Sequence, residues 1–562
     1  MTMEMEDQPE ERASDLKALA EAKFGKETLS DAEKLLLEKV PNGDFAICGP
    51  NRDDSDPSNK PEGADKWGPK RQIRAELVGW LCMDRGAQKR VHWRGIQVYG
   101  ADITGPLDLS FANIPFPLVF QHCRRMEGTD LSRAEVSELD LTGSLVYGIT
   151  ADSLIVKNNV FLSAGFVAIG EVRLLGARIG ANLECNAGTF KNPPQKGSAE
   201  SGDALSADLI NVKGSVFLRK STACGEVRLP GAQIGGNLDC SGGTLANQTQ
   251  EGFPASGTAL KADRINVKGS VLLNANFTAS GEMRLIGAQI GGALDCENGN
   301  FQAATLDLRD AAANTIYDPG VKWPGSDKLL LDGFAYGRIS TEEQIDVTKR
   351  LDWLGRQPST PFHRRPYLQL ANVLRESGDS DGALRVLEKM EGLRRRSDAN
   401  GPFARPWSWV PRPWSWVLRG WSWVLKWSIG YGYHPGRAIW LIILLSALGW
   451  VVYVRSDHAR TMVPTEKDAY KNFRWEGQVP PHYPTFSPLV YSVENSLPLV
   501  KLGQGDKWQP GPGPPGLSPT WFLGRFATSP QFVTWFLRIQ ILLGWLLATL
   551  FVAGVSGIVH KE

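Results

Sequence analysis

The residue types that usually carry enzyme chemistry are present in this chain, but their spacing supports no catalytic constellation. There is no H-E-x-x-H motif, no P-loop lysine motif and no paired-cysteine zinc spacing. Gly511, Gly513 and Gly516 satisfy G-x-G-x-x-G, yet they lie in a proline-rich stretch without a preceding strand and cannot open a helix. We therefore predict that the protein is not an enzyme and that it holds no cofactor and no metal.

Three cysteines are the remaining chemical candidates. Cys185, Cys240 and Cys296 recur at matching places in a repeated segment, so we expect them to be neighbours in a ladder. Such a stack could hold a metal or a redox pair, or it could fill inward corners, since cysteine is a small and usually buried residue. We favour the corner-filling interpretation. The seven cysteines contain no C-x-x-C pair, which indicates a reducing compartment.

The cysteines belong to an internal repeat. The segment GEVRLLGARIGANLEC at 170–185 returns as GEVRLPGAQIGGNLDC at 225–240 and as GEMRLIGAQIGGALDC at 281–296, so the three copies are evenly spaced. Short alternating apolar stretches broken by glycine predict short strands with tight turns. The interval from Val216 to Leu238 matches one coil, so we predict a β-solenoid over residues 91–335 and a mainly β fold class.

The repeat also carries a family resemblance. The A/T-D-L-x-x texture at 129–144 and the I-G-G-x-L-D-C corners resemble the pentapeptide-repeat and bactofilin-like solenoids of bacteria over most of the repeated region. This resemblance implies a β-solenoid that serves as a scaffold, a polymer or a sensor. The domain order is also similar to a bacterial set loosely named membrane-associated oxidoreductases, although no residue pattern here supports that chemistry.

Helical patterns flank the solenoid. Residues 1–90 are predicted to hold helices, a linker and a solenoid cap, with a capping box at Ser30 and Glu33 and a helix from about Arg71. Residues 341–396 are typical of a helix-turn-helix hairpin and resemble a single tetratricopeptide unit. One such unit cannot bury its own face. We therefore expect it to dock on the solenoid end or on another chain.

A segment at 405–430 repeats basic and indole side chains with a heptad period. Its members are Arg405, Trp407, Trp409, Arg412, Trp414, Trp416, Arg419, Trp421, Trp423 and Lys426. Indole and guanidinium groups suit the lipid headgroup zone, so we predict a membrane-interface segment. The alternative is a tryptophan-rich core segment.

Two uncharged runs follow, and we predict transmembrane helices at 437–455 and 537–559. Two pairs of small residues would allow close contact between spans. These pairs are Gly544 with Ala548, and Ala553 with Gly557. The absence of a signal peptide and the basic run at 394–396 favour a bacterial inner membrane with both termini cytoplasmic.

The connector at 456–535 contains a segment at 484–506 that resembles part of the pore module of simple two-span cation channels. Leu489, Val490, Val493 and Leu497 are expected on one face of a short helix, before a glycine-ended loop. No TVGYG-like filter is present, and Lys501 puts a positive charge in the loop. The alternative is an interfacial helix at the membrane exit. The pore-loop candidates are Glu494, Pro498, Lys501, Gly503 and Gly505.

These elements predict a membrane-tethered cytoplasmic solenoid that acts as a scaffold or sensor, because a long repeat surface suits extended recognition. It would bind a protein partner or self-associate. The alternative is an oligomeric ion channel gated by the solenoid. A net charge of +1 argues against nucleic acid. The expected partners are membrane lipid, further copies of the chain and a protein on the solenoid.

Overall fold

The computed structural model describes residues 9–193, 202–247, 257–340, 345–400, 436–476, 478–497, 500–512 and 529–555. The chain forms two compact units, Met1–Leu387 and Glu388–Glu562. Each unit has its own fold and its own core.

Helices and strands occur along the described residues as follows. The helices are α1 (Pro9–Phe24), α2 (Asp31–Lys39), α3 (Ala75–Met83), α4 (Arg85–Gln88), α5 (Val347–Leu354), α6 (Arg365–Glu376), α7 (Ser380–Asn400), α8 (Gly436–His458), α9 (Lys467–Glu476), α10 (Pro488–Ser496) and α11 (Pro530–Val555). Short 3-10 turns cover Lys26–Thr28, Val40–Asn42, Pro57–Asn59, Pro61–Lys66 and Pro69–Arg71. The first strands are β1 (Ala46–Ile47), β2 (Gln72–Arg74), β3 (Ile96–Tyr99), β4 (Asp102–Thr104), β5 (Asn113–Ile114), β6 (Leu118–Gln121), β7 (Arg124–Asp130), β8 (Glu135–Val136), β9 (Leu139–Asp140), β10 (Leu145–Thr150), β11 (Ile155–Val156), β12 (Val160–Phe161), β13 (Val167–Ile169), β14 (Val172–Arg173), β15 (Arg178–Ile179), β16 (Leu183–Glu184), β17 (Thr189–Lys191) and β18 (Asp203–Ser206). The later strands are β19 (Asn211–Val212), β20 (Val216–Phe217), β21 (Thr222–Cys224), β22 (Glu226–Arg228), β23 (Gln233–Ile234), β24 (Leu238–Asp239), β25 (Thr244–Ala246), β26 (Thr258–Lys261), β27 (Asn266–Val267), β28 (Val271–Leu272), β29 (Thr278–Arg284), β30 (Gln289–Asp295), β31 (Asn300–Asp307), β32 (Ala312–Tyr317), β33 (Leu329–Leu330), β34 (Ala335–Ser340), β35 (Met462–Pro464) and β36 (Trp508–Pro510).

The first unit is a parallel β-solenoid of about ten coils, which confirms the predicted fold class. One coil consists of four short strands, here called sides 1 to 4, as in β11, β12, β13 and β14. Sides 1 and 2 belong to a 19-stranded sheet, and sides 3 and 4 to a 15-stranded sheet. Val216 pairs directly with Leu238 on the next coil, so the expected coil length is confirmed. Alternate side chains point inward and form one continuous apolar core.

The period of the sequence repeat corresponds to two coils of unequal length. Leu205 pairs with Val227 across a short coil, whereas Val227 pairs with Leu260 across a longer one. The longer coil carries its extra residues between sides 3 and 4. Asn192 Nδ2 donates to the Asp203 carbonyl at 2.7 Å, and Asn247 Nδ2 donates to the Thr258 carbonyl at 2.8 Å. In both longer coils, an asparagine before the inserted residues therefore bonds to the backbone after them.

The two-coil period corrects the expected cysteine ladder. Glu184 pairs with Phe217 and Phe217 with Asp239, so Leu218 lies between Cys185 and Cys240 in the inward column. The three cysteines are buried and free, as the corner-filling interpretation requires. Burial raises the pKa of the Cys240 thiol to about 12, so it stays protonated at neutral pH. Among the described residues, no group of three His, Cys, Asp or Glu side chains could hold a metal ion.

The I-G-G motif lies at the corner between sides 1 and 2, where the close packing of the coils explains its glycines. Polar side chains bond from coil to coil there: Asn182 Oδ1 accepts from the Ser215 amide at 2.9 Å, and Asn237 Oδ1 from the Ser270 amide at 2.8 Å. The backbone of neighbouring coils approaches so closely that a Cβ at Gly235 would lie 2.0 Å from the Lys213 carbonyl oxygen. Gly235 does not have a left-handed φ, so backbone conformation does not require glycine at this position. The lack of space for a Cβ does.

Replacing Gly235 with alanine is expected to destabilise the solenoid by about 1–3 kcal/mol, because the added Cβ must push two coils apart. Gly325→Ala is the matched control, since nothing lies within 4 Å of a Cβ at Gly325. Denaturant unfolding of the full chain would show a lower midpoint for Gly235→Ala only. Equal midpoints for both variants would refute the steric explanation of the motif.

The N-terminal residues cap the first coil. Strand β1 pairs with β3 and β2 with β4, while α2 packs on β1 and β2, and α3 on β2 and β5. The predicted capping box is confirmed, with Glu33 N bonded to Ser30 Oγ at 3.0 Å and Ser30 N to the Glu33 carboxylate at 2.9 Å. The helix expected from Arg71 begins only at Ala75, because residues 72–74 pair as a strand.

Glu33 makes the cap sensitive to acid. Its carboxylate is buried and accepts bonds from Arg74 Nε at 2.8 Å and Nη2 at 3.0 Å. Burial raises the pKa of Glu33, but the bonds from Arg74 and the two backbone amides outweigh this effect and leave the pKa below its usual value. A lowered carboxyl pKa contributes stability that is complete above the unfolded pKa of about 4.3 and is lost as the pH falls through the folded pKa.

We therefore expect Glu33→Gln to melt at a lower temperature than the parent at pH 7, and the difference to shrink as the pH falls below about 4.3. Glu76→Gln in α3 is the control, because Glu76 is exposed. Melting temperatures of the three proteins measured between pH 7 and pH 3 test this. A difference that stays constant over that range would contradict the linkage.

The C-terminal end of the solenoid is covered as well. Helix α6 packs on β34, and Gln369 Nε2 donates to the Tyr336 carbonyl at 2.6 Å. The Arg350 guanidinium on α5 binds the buried Asp318 carboxylate at 2.6 and 2.7 Å. The hairpin predicted at 341–396 is present as α6 and α7, preceded by α5. Through α6 it docks on the solenoid end, and docking there was one of the two predicted alternatives, the other being docking on another chain.

Candidate functional site in the helical hairpin

The second unit is built around α8 and α11, with the short helix α10 in contact with both. By length and composition, the segments Gly436–His458 and Pro530–Val552 are long and apolar enough to cross a membrane. They overlap the transmembrane helices predicted at 437–455 and 537–559, although α11 begins earlier, at Pro530. A ribbon of β35 and β36 and an aromatic cluster around Trp508 complete this unit.

A polar cluster lies at the contact of the three helices. Gln540 on α11 is 1% exposed, and its Oε1 accepts from the Tyr453 hydroxyl of α8 at 2.7 Å. Its Nε2 donates to Ser492 Oγ at 3.0 Å and to Ser496 Oγ at 2.8 Å, both on α10. The Ser492 hydroxyl donates in turn to the Ser446 carbonyl of α8 at 2.7 Å. One amide thus joins all three helices, and both of its polar ends have partners.

Glycines allow α10 to approach the two long helices. A Cβ at Gly449 would lie 2.2 Å from Ser492 Oγ, and one at Gly544 would lie 2.5 Å from the Ser496 carbonyl. Gly544 therefore contacts α10 of its own chain, and Ala548 is half-buried. The Ala553 side chain and Gly557 lie outside the described residues. The packing of these small pairs between spans remains a prediction.

The buried face of α10 is partly polar. Its buried residues are Tyr491, Ser492 and Ser496. Of the apolar residues expected on one face, Leu489 is 52% exposed, and Val490, Val493 and Leu497 are only half-buried. The inward positions serve the Gln540 amide instead.

The two long helices also present apolar side chains outward. Only 17% of the residues in the apolar stretch of each helix are buried. Large exposed side chains include Trp440, Ile443, Leu444 and Leu448 on α8, and Ile539, Leu542, Leu543 and Trp545 on α11. Contiguous exposed apolar surface of this kind marks a membrane or a protein interface.

The chain after α10 folds back onto that helix. Glu494 Oε2 accepts from the backbone amides of Gln504 at 2.8 Å and Gly505 at 3.0 Å. The buried Gln504 side chain accepts from the Ser487 amide at 3.2 Å and donates to the Thr485 carbonyl at 3.0 Å. Both ends of α10 are thereby tied to one loop, which Gly503 turns with a φ of 80°.

The structure brings some of the predicted site residues together. Glu494 and Gly505 meet through the bond above, whereas the side chain of Lys501 and the backbone at Gly503 are exposed. Pro498 lies outside the described residues. The predicted interface residues Arg405, Trp407, Trp409, Arg412, Trp414, Trp416, Arg419, Trp421, Trp423 and Lys426 also lie outside them.

Sequence reasoning missed the polar cluster. Gln540 is the only amide side chain in an uncharged and mostly apolar run, and an isolated amide in such a run is a signal for an interhelical hydrogen bond. The serines of α10 gave no comparable signal, because their role depends on contact with α11. The role of Gln504 was not detectable either, since its partners lie 17 and 19 residues away.

Together these features define a class of protein. It is a parallel β-solenoid with helices over both ends, joined in one chain to a hairpin of two long apolar helices with a third, short helix against them. No family model, curated protein or solved structure matches this chain.

Proposed function

We propose that this protein is a membrane-anchored scaffold or sensor whose solenoid binds a protein partner along its sides. The observation that carries the proposal is that both solenoid ends are covered by helices of the same chain. Strands at open ends would template pairing with further copies, as in a polymer. Covered ends favour binding along the sides over end-to-end growth. Of the three roles that the bactofilin-like resemblance implies, this favours the scaffold or the sensor over the polymer.

The anchor rests on the second unit. A hairpin with polar groups bonded inside and apolar groups outside is suited to lipid, where every buried polar group needs a partner within the protein. We place it in a bacterial inner membrane with both termini in the cytoplasm. A cysteine at exposed Lys471 would then be labelled from outside intact cells, and one at exposed Ser153 would not. The opposite pattern would reverse the orientation.

Photo-crosslinking from each side of the solenoid tests the scaffold function. A photoreactive residue would replace Gln233 on side 1, Leu272 on side 2, Thr244 on side 3 or Lys261 on side 4, because each of these side chains points outward. We expect one side to yield an adduct of constant mass, with the attached protein identified by mass spectrometry. An adduct with twice the chain mass would indicate self-association. No adduct from any side would refute the proposal.

The second candidate function is an oligomeric ion channel gated by the solenoid. It is supported by the position of α10 against both long helices and by the loop that Glu494 holds. Two long helices per chain cannot enclose a water path, so conduction requires a ring of chains. Single-channel recording in planar bilayers is the test, with Glu494→Gln expected to alter the conductance. A monomer in detergent without conductance would refute the channel.

The third candidate, a membrane-associated oxidoreductase, requires a bound redox group. Flavin or haem absorbance in the purified protein would support it. A spectrum containing only aromatic absorption would count against it.

A further inference from the structure

Side 1 carries a regular row of lysines on its outer surface. Val156 pairs with Ile179, Ile179 with Val212, and so on along the ladder, so the residues that follow them also stack coil on coil. The resulting outward column is Lys157, Gly180, Lys213, Gly235, Lys268 and Gly291. A lysine therefore recurs at every second coil, and the coil between two successive lysines has a glycine, without a side chain, at this position.

The charges in this row are available to a ligand. Lys157 pairs with Glu135 at 3.0 Å. Lys213 and Lys268 are exposed and form no ion pair within the described residues. No acidic residue occupies the outward positions of side 1 from β15 to β27. The row is therefore cationic over four coils.

A second outward column runs parallel to the lysines. It consists of the exposed carboxamides Asn211, Gln233, Asn266 and Gln289, one in each successive coil. A primary amide both donates and accepts hydrogen bonds. The two parallel columns together offer positive charge and amide groups to one elongated ligand.

The surface becomes a groove toward the C-terminal end of the solenoid. A cleft of about 530 Å³ lies over side 1 there and includes Asn266, Lys268, Gln289 and Gly291 in its lining. Its far end is formed by Gln369 of α6. An elongated ligand following the lysine row would therefore reach a shallow, open cleft that Gln369 of the end cap borders.

The spacing of the row is matched most closely by one backbone conformation. Adjacent coils are about 4.8 Å apart, so Lys213 and Lys268 stand about 9.6 Å apart along the solenoid axis. A polyproline II helix advances about 9.3 Å in three residues. An extended strand presents the same face about every 6.6 Å, and two turns of an α-helix advance about 10.8 Å, so polyproline II matches the lysine spacing most closely. A polyproline II backbone also leaves its C=O groups, and the N–H groups of its non-proline residues, free for the carboxamide column.

We propose that side 1 binds an acidic polyproline II segment of a protein partner, with a carboxylate at every third residue against Lys213 and Lys268. The proposal rests on the scaffold function above and specifies the partner's chemistry. The carboxylates would bond to the lysines, and the carboxamide column would hydrogen-bond the peptide backbone between them. The end of the segment would lie in the cleft beside Gln369.

Fluorescence anisotropy with the full chain in detergent and a labelled (Glu-Pro-Pro)6 peptide tests the proposal. The control peptide has the same composition with all its glutamates adjacent. We expect the periodic peptide to bind more tightly, and K213Q/K268Q to weaken its binding about tenfold, the loss of roughly two ion pairs. K191Q/K220Q removes the same charge from other parts of the solenoid and is expected to change little. Equal melting temperatures would show that both double variants are folded.

Several outcomes would overturn the proposal. These are equal affinity for the two peptides, no binding of either, a similar loss in both double variants, or tighter lysine-dependent binding of an acidic α-helical peptide or a DNA duplex. None of them bears on the crosslinking result. Crosslinks from sides 2, 3 or 4 without peptide binding would preserve the scaffold function and remove this inference. Absence of crosslinks from every side would remove the scaffold function itself.

Discussion

Arg350→Met is expected to destabilise the solenoid unit by about 3–5 kcal/mol, because it leaves the Asp318 carboxylate buried without its partner. The side chains of Arg350 and Asp318 are 11% and 5% exposed, and the guanidinium holds the carboxylate with two bonds. The guanidinium also lies 5.9 Å from the Trp353 ring centre. Denaturant unfolding followed by tryptophan fluorescence would measure the loss, since the rings of Trp323 and Trp353 are in contact at this end.

Two further variants separate the charge effect from lost packing. Arg350→Met combined with Asp318→Leu removes both charges and is expected to recover most of the stability, because a buried pair replaced by apolar groups is often neutral. Lys349→Ala in the same helix is the surface control, as Lys349 is 85% exposed and its pair with Asp346 is 3.9 Å long. A double variant as unstable as Arg350→Met would show that packing, and not the buried charge, is responsible.

Gln540→Leu is expected to destabilise the docking of α10 by about 2–4 kcal/mol, because it removes the acceptor of the buried Tyr453 hydroxyl and the donor to the Ser492 and Ser496 hydroxyls. Leucine resembles glutamine in size but offers no bond to the hydroxyls of Tyr453, Ser492 and Ser496, which share the amide as a partner. Hydrogen exchange of the α10 amides, read by mass spectrometry on the protein in detergent, would detect the change. Exchange should accelerate by roughly 30-fold to 1,000-fold where it proceeds through local opening of α10.

Thr549→Leu provides the matched control for Gln540→Leu. Thr549 lies on the same helix and is exposed, and its hydroxyl bonds only to carbonyls of α11 itself. We expect no change in α10 exchange for this variant. Unchanged exchange in Gln540→Leu as well would mean that the glycine contacts, and not the amide, hold α10 in place. Under the channel candidate, a released α10 would also abolish conductance.

The end caps and the sides of the solenoid have different roles in the proposed function. Each cap contains a buried carboxylate that depends on an arginine partner, Glu33 with Arg74 at one end and Asp318 with Arg350 at the other. The sides carry outward columns that repeat with the coils. Mutations in the caps are therefore expected to change stability, whereas lysine substitutions on side 1 are expected to change binding alone. Measuring both quantities for each variant distinguishes the two classes.

The sequence by itself determined the elements whose causes are local. The coil follows from the even spacing of short apolar stretches and from glycine corners, because inward and outward positions alternate over short distances along the chain. The capping box lies within one short segment, from Ser30 to Glu33. The two long apolar helices follow from uncharged runs of sufficient length. In each case the deciding interactions are between near neighbours or depend on composition alone.

The tertiary structure alone decided features that depend on partners far along the chain. The cysteines alternate with leucines because the longer period spans two coils, which spacing alone did not reveal. Ile73 lies in a strand because β4 pairs with it, although its spacing also fits a helix. Ser492 and Ser496 of α10 face inward because both bind Gln540, which lies 48 and 44 residues away along the chain. An unpaired buried amide costs about 1–3 kcal/mol, so Gln540 favours the orientation of α10 that places two hydroxyls against it.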